Sequence, residues 1–212
     1  MASQDSQRVV LHRDQAEVEF ARIVAFSDGV FAIAITLLVL ALEIPPDGDV
    51  ADALGERGAE FFAYFLSFAV VGRFWMAHHR IFGSIARFDT RLVVINLVYL
   101  AFIALVPFTS EVLGNYSGDS VGVALYAANL TLVSVVSWVM IRYSYGHGLM
   151  REDTEEYRAR FASGGALVTA GVFAVSIPLA FLSPTVATIS WASLFVLGDR
   201  MIDRITGVKA PR

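Results

Sequence analysis

A long run near the carboxyl end of the chain, residues 161–198, contains no Asp, Glu, Lys or Arg. As one helix it would be ~57 Å long, almost twice the ~30 Å hydrocarbon core of a bilayer. Ser183-Pro184 interrupts the run. Proline has no amide hydrogen and disfavours helical geometry in the residue before it, so the break predicts two helices joined by a tight turn.

Four further apolar runs precede this one, and each has the roughly 20 mainly apolar residues that a membrane-spanning helix needs. The six predicted spans cover residues 20–43, 58–83, 90–112, 120–146, 160–182 and 185–200. Only 17% of the residues are charged, whereas soluble domains carry roughly a quarter. We therefore predict an all-α integral membrane protein, a six-transmembrane-helix bundle that forms a single domain over residues 1–212.

The basic residues predict the orientation of the bundle. All of the 16 Arg and Lys except Arg57 and Arg73 lie in the terminal segments, in the second and fourth loops, or at the span ends that border these segments and loops. Cytoplasmic loops are enriched in these residues, so we expect a multi-pass cell-membrane protein with both termini cytoplasmic. The first loop, on the opposite side, is acidic over residues 47–56. It either raises the cation concentration at an outer mouth or is an ordinary solvated loop.

Asp28 is the unusual residue of the first span, because a charge within a bilayer costs several kcal/mol. On a helix it points about 140° away from Ile33. The Ile33 face also carries Phe26, Thr36, Leu37 and Leu40. By periodicity alone such a stripe indicates ordinary helix packing. His78, His79 and Asn96 are the expected donors to Asp28, in a structural clamp rather than an ion contact.

Other classes of site are not expected. His78 and His79 point about 100° apart, and no carboxylate stands three or four residues after either, so no metal site is predicted. The chain has no cysteine, and it shows no nucleophile or phosphate loop. We therefore predict a protein that is not an enzyme, with no cofactor and no nucleic-acid partner.

A longer motif occupies the first span. It reads Arg22-Ile-Val-Ala-Phe26-Ser27-Asp28-Gly29-Val-Phe-Ala-Ile33-Ala-Ile-Thr36-Leu37-Leu-Val-Leu40. Related patterns follow in Trp75-x-x-His78-His79-Arg80-x-Phe82, Asn96-Leu97 and Pro107-Phe108. Together these segments resemble the transmembrane protein 175 family, whose first helix has an Arg-x-x-x-Phe-Ser-Asp core. The likeness in pattern covers the first three helices, and the last three agree in number and hydropathy only.

The resemblance implies a potassium-permeable cation channel. Animal members have two six-helix repeats and pair as dimers, so four copies of this single-repeat chain are expected around a central pore lined by the first helix. The constriction falls on Ile33, with a hydroxyl layer at Thr36 and further apolar layers at Leu37 and Leu40. The implied partners are other copies of the chain, membrane lipid, and potassium with other monovalent cations as permeant ions.

The resemblance also implies an interhelical polar network that ties the first helix to its neighbours. Its members are Arg22, Ser27, Asp28, His78 and Asn96, and the supporting motif residues are Phe26, Gly29, Trp75 and His79. The chain lacks a carbonyl selectivity filter, so an apolar ring would gate by dewetting, with a modest preference for potassium over sodium. The alternative is a proton-coupled cation transporter that uses Asp28 and His78 as a relay. No inverted repeat supports that alternative.

Overall fold

The computed structural model describes residues 2–42, 55–116, 118–151 and 156–196, and for residues 2–14, 16, 156–161, 195 and 196 it describes the backbone alone. These residues are almost entirely helical. The helices are α1 (Ala2–Leu37), α2 (Gly58–Gly83), α3 (Thr90–Ala104), α4 (Val106–Asn115), α5 (Ser120–Gly146), α6 (Glu156–Leu182), α7 (Pro184–Ser190) and α8 (Ala192–Val196). A 3-10 turn, Leu38–Ala41, extends α1.

Five stretches of the described chain are long and apolar enough to cross a membrane. They are Glu17–Ala41, Gly58–Gly83, Thr90–Asn115, Ser120–Gly146 and Ala162–Leu182. The third stretch combines α3 and α4, with a proline in the first turn of α4. The architecture is thus an all-α, multi-pass membrane bundle, as the sequence predicts.

The sixth predicted span, residues 185–200, is described only in part. Its described portion forms α7 and α8, and residues 197–200 lie outside the described residues. Six spans therefore remains a prediction. The acidic residues Asp47, Asp49 and Asp52 of the first loop also lie outside the described residues.

Helix starts follow from local capping chemistry. The Asp89 carboxylate accepts a hydrogen bond from the Leu92 amide at the start of α3. Asp119 does the same for the first amides of α5. Ser183 caps α7, and Pro184 occupies its first turn, where a missing amide hydrogen costs nothing. The predicted break at Ser183-Pro184 is therefore the point where α6 ends and α7 begins.

The core lies between α2, α3, α5 and α6, and the most extensive packing joins α5 to α6. Trp191 closes it at the α7 end. Its indole Nε1 donates to Ser176 Oγ at 2.9 Å. Its ring lies 5.3 Å from Tyr126 and 5.6 Å from Phe173, measured between centroids. A smaller cluster around Ile85 and Met140 fills the opposite end of the bundle. This core leaves α1 at the edge of the bundle, against α2 and α3.

Candidate functional site

One face of α1 is buried against α2 and α3. Its members are spaced three and four residues apart and are Ser27, Phe31, Ala34 and Leu38. This spacing follows the 3.6-residue period of the helix and gives a single stripe. The face therefore fixes α1 to the helices of the bundle.

A chain of hydrogen bonds joins three helices at this buried face. His78 Nε2 on α2 donates to Asn96 Oδ1 on α3 at 2.9 Å. Asn96 Nδ2 donates in turn to Ser27 Oγ on α1, also at 2.9 Å. Ser27 Oγ then donates to the Ile23 carbonyl oxygen at 2.9 Å. Because all three side chains are buried, loss of any member would leave polar atoms unpaired.

Aromatic rings surround the imidazole of His78. The ring of Phe82 stacks on it with a centroid distance of 4.2 Å, and Tyr99 stacks from another side at 5.5 Å. Phe31 of α1 lies 5.5 Å away in a tilted arrangement. These rings exclude water from the imidazole and hold the Nε2 atom towards Asn96.

Asp28 is bound separately from the chain of hydrogen bonds that joins His78, Asn96 and Ser27. Trp75 Nε1 on α2 donates to Asp28 Oδ1 at 2.9 Å, in a half-exposed position beside the buried stripe. The indole also lies 5.6 Å from the exposed His79 ring. The expected donors were His78, His79 and Asn96, and the structure places the indole in that role.

Arg22 lies apart from the other predicted network residues. Its side chain is exposed, and within the described part of the chain it makes no hydrogen bond or ion pair. The structure therefore brings Ser27, Asn96 and His78 together and places Asp28 next to them, while Arg22 faces outward.

The opposite face of α1 is exposed. Ile33 is 60% exposed, Leu37 42% and Leu40 66%, and Phe26 is exposed as well. Thr36 lies on the same face, and its hydroxyl donates to the Ile33 carbonyl oxygen at 2.9 Å. The oxygen lone pairs of Thr36 thus remain available on the open side. A β-carbon added at Gly29 would meet nothing within 4 Å.

Two features of the site were missed by reasoning from the sequence. Trp75 was included only as a motif residue, although its position one turn before His78 puts it on the helix that contacts α1. Tyr143, on α5, donates its hydroxyl to Asp89 Oδ2 at 2.6 Å. The local sequence around Tyr143 does not indicate its contact with Asp89, because that contact depends on how α3 and α5 pack.

The sequence and the fold both have known counterparts. A family model described as the endosomal/lysosomal potassium channel TMEM175 matches residues 22–107. A potassium channel of Streptomyces collinus is 38% identical in an alignment of 176 positions that covers 76% of this chain and 85% of the relative. The endosomal/lysosomal proton channel TMEM175 of Bos taurus is 43% identical over 101 residues, but the match spans only 21% of that protein.

A solved structure has the same fold. It is the crystal structure of a lysosomal potassium-selective channel TMEM175 homolog from Chamaesiphon minutus, with a TM-score of 0.72 and 28% sequence identity. The superposition covers 88% of this chain and 98% of the other. The motif of the first helix, the shared fold and the match over most of the Streptomyces relative lead to one conclusion: this chain belongs to the TMEM175 family.

Proposed function

We propose that four copies of this chain form a potassium-permeable cation channel whose pore is lined by α1. The observation that carries the proposal is the two-sided character of α1. One side is buried in the protomer, and the other exposes Ile33, Leu37 and Leu40. The Streptomyces and Chamaesiphon relatives are both described as potassium channels, which supports the same assignment.

The exposed face suits an apolar constriction. Four Ile33 side chains around a fourfold axis would form a ring that closes by dewetting when it is too narrow for a hydrated ion. The Thr36 hydroxyl already donates to the backbone, so its oxygen would present lone pairs to a passing cation. A ring of this kind discriminates by the cost of shedding water, which predicts a modest preference for potassium over sodium.

The membrane arrangement is part of the proposal. The clustering of basic residues at alternate loops supports cytoplasmic termini, and a bacterial relative supports a place in the cell membrane. In this orientation Asp28 lies in the cytoplasmic half of α1, and His78 lies at the cytoplasmic end of α2. Leu40 lies towards the outer mouth.

The test is a planar-bilayer recording of the purified protein with potassium on one side and sodium on the other. We expect single-channel currents that reverse at a voltage at which the potassium compartment is negative, because potassium permeates more easily than sodium. The modest preference should keep this displacement from zero small. Native mass spectrometry of the same preparation should give a tetramer. A preparation that is tetrameric and inserted but carries no current would contradict the proposal.

A proton-coupled cation transporter remains the second hypothesis. It needs proton exchange between Asp28 and His78, but these residues bind different partners, the Trp75 indole and the Asn96 amide. The Asn96 amide joins His78 to Ser27, and it does not connect His78 to Asp28. Transport that saturates at carrier-like turnover, and that is abolished in an Asp28→Asn tetramer, would favour the transporter.

A further inference from the structure

Two loops at the His78 end of the bundle are paired through their backbones. Residues 84–89 join α2 to α3, and residues 147–151 follow α5; together we name them the loop clamp. Ile85 and Met150 form an antiparallel bridge. The hydrogen bonds run from Ala86 N to Leu149 O at 2.8 Å and from Arg151 N to Ser84 O at 2.9 Å. Gly148 has a φ of +63°, a conformation that favours glycine and turns the second loop back.

Asp89 connects the loop clamp to two helices. Its Oδ1 accepts from the Leu92 amide at 2.8 Å and so caps α3. Its Oδ2 accepts from the Tyr143 hydroxyl of α5 at 2.6 Å. The Tyr143 hydroxyl first, and then the Leu92 amide, lower the pKa of Asp89 below its usual value. A short hydrogen bond to a carboxylate is among the stronger polar contacts that a protein makes.

The helix that Asp89 caps, α3, also contains Asn96, which contacts the pore helix α1. Asn96 lies two turns beyond Asp89, about 10 Å along α3, and no break interrupts the helix between them. Its amide donates to Ser27 Oγ of α1. A displacement of the α3 N-terminus is therefore passed along a continuous helix to the contact that holds α1.

We propose that Asp89 and Tyr143 are positioning residues for the pore helix. Their hydrogen bond fixes the position of α3 along α5, and the contact between Asn96 and Ser27 transmits that position to α1. The effect on gating rests on the proposed channel function, whereas the mechanical coupling between Tyr143 and Ser27 does not.

The first experiment compares Tyr143→Phe with Tyr145→Phe in planar bilayers. Tyr145 lies on the same helix with an exposed side chain, and in the described residues its hydroxyl makes no hydrogen bond. Tyr143→Phe should change the open probability by about five-fold, which corresponds to a part of what a hydrogen bond to a carboxylate contributes. Single-channel conductance and reversal potential should stay at their original values, because the pore face is unaltered.

The pH profile separates positioning from a general loss of stability. The hydrogen bonds that the ionised Asp89 carboxylate accepts from Tyr143 and Leu92 are present at high pH. They are lost as pH falls through the lowered pKa of Asp89. Without the Tyr143 hydroxyl that pKa rises, so the acid limb of the open-probability curve that remains through the Leu92 cap should be smaller and should move to higher pH. Asp89→Asn keeps a capping side chain and should abolish this limb. The other charged or titratable groups that act on Asp89 are His147 of the loop clamp and Arg91 of α3, and both remain in these variants.

The second experiment requires no current. Thermal unfolding in detergent is measured for Tyr143→Phe, Ser27→Ala and the double variant, with Tyr145→Phe and Ser27→Ala as the matched cycle. Sites this far apart normally contribute additively, so a non-additive Tm shift confined to the first cycle supports the coupling. Should the unmodified protein carry no current, the channel proposal fails, and the cycle still decides the coupling. Additive shifts in both cycles, or equal open probabilities of Tyr143→Phe and Tyr145→Phe, overturn the proposal.

Discussion

The two faces of α1 are similar in composition and opposite in environment. Each is mainly apolar and carries one hydroxyl, Ser27 on the buried face and Thr36 on the exposed face. The Ser27 hydroxyl accepts from another helix, whereas the Thr36 hydroxyl contacts only its own helix. The difference shows that the apolar character of a stripe on α1 does not indicate whether it packs against the bundle or stays exposed. That is decided by partners on α2 and α3.

The largest expected effect is on stability at the buried face. Phe31→Ala removes a ring that packs against His78 and Tyr99, and it should lower the free energy of unfolding by about 3–5 kcal/mol. Phe26→Ala makes the same change on the exposed face and should cost far less in the protomer. Denaturant unfolding in detergent measures both, and equal losses would remove the distinction between the faces.

Asn96→Leu should have the next largest effect. It leaves the His78 Nε2 hydrogen without an acceptor and removes the donor to Ser27, so we expect a loss of about 1–3 kcal/mol. Asn115→Leu, at the exposed end of α4, is the matched control. The same unfolding assay applies, and a stability equal to that of the control would mean that the network does not hold α1.

A smaller effect is expected from Trp75→Phe. The variant keeps a ring and removes the Nε1 donor to Asp28, which should cost about 1 kcal/mol because the contact is partly exposed. Trp138→Phe on α5 is the control, since in the described residues its indole has no hydrogen-bond partner. Thermal unfolding compares the two, and a larger shift for Trp138→Phe would contradict the assignment.

The helical, multi-pass character of the chain could be predicted because long apolar runs with few charges have no other stable form in a bilayer. The break at Ser183-Pro184 followed from the length of the uncharged run together with proline geometry, since Pro178 of the same run lies inside α6 without ending it. The donor to Asp28 could not be predicted in the same way. Histidine, asparagine and tryptophan were all within reach on α2 and α3, and the choice depends on side-chain rotamers. The Tyr143 contact with Asp89 depends on the packing of α3 against α5, which no local pattern encodes.

The most direct test of the pore assignment is the single-channel conductance of Ile33→Asn. Ile189→Asn makes the same change at a side chain that is 67% exposed on α7, a helix that packs against α5, α6 and α8. Stability of the Ile33 variant should change by only about 0.5 kcal/mol, so an effect on current cannot be attributed to unfolding. We predict a larger potassium conductance or leak in Ile33→Asn and none in Ile189→Asn. Identical currents in the two variants and the unmodified channel would contradict the assignment of the exposed face to the pore.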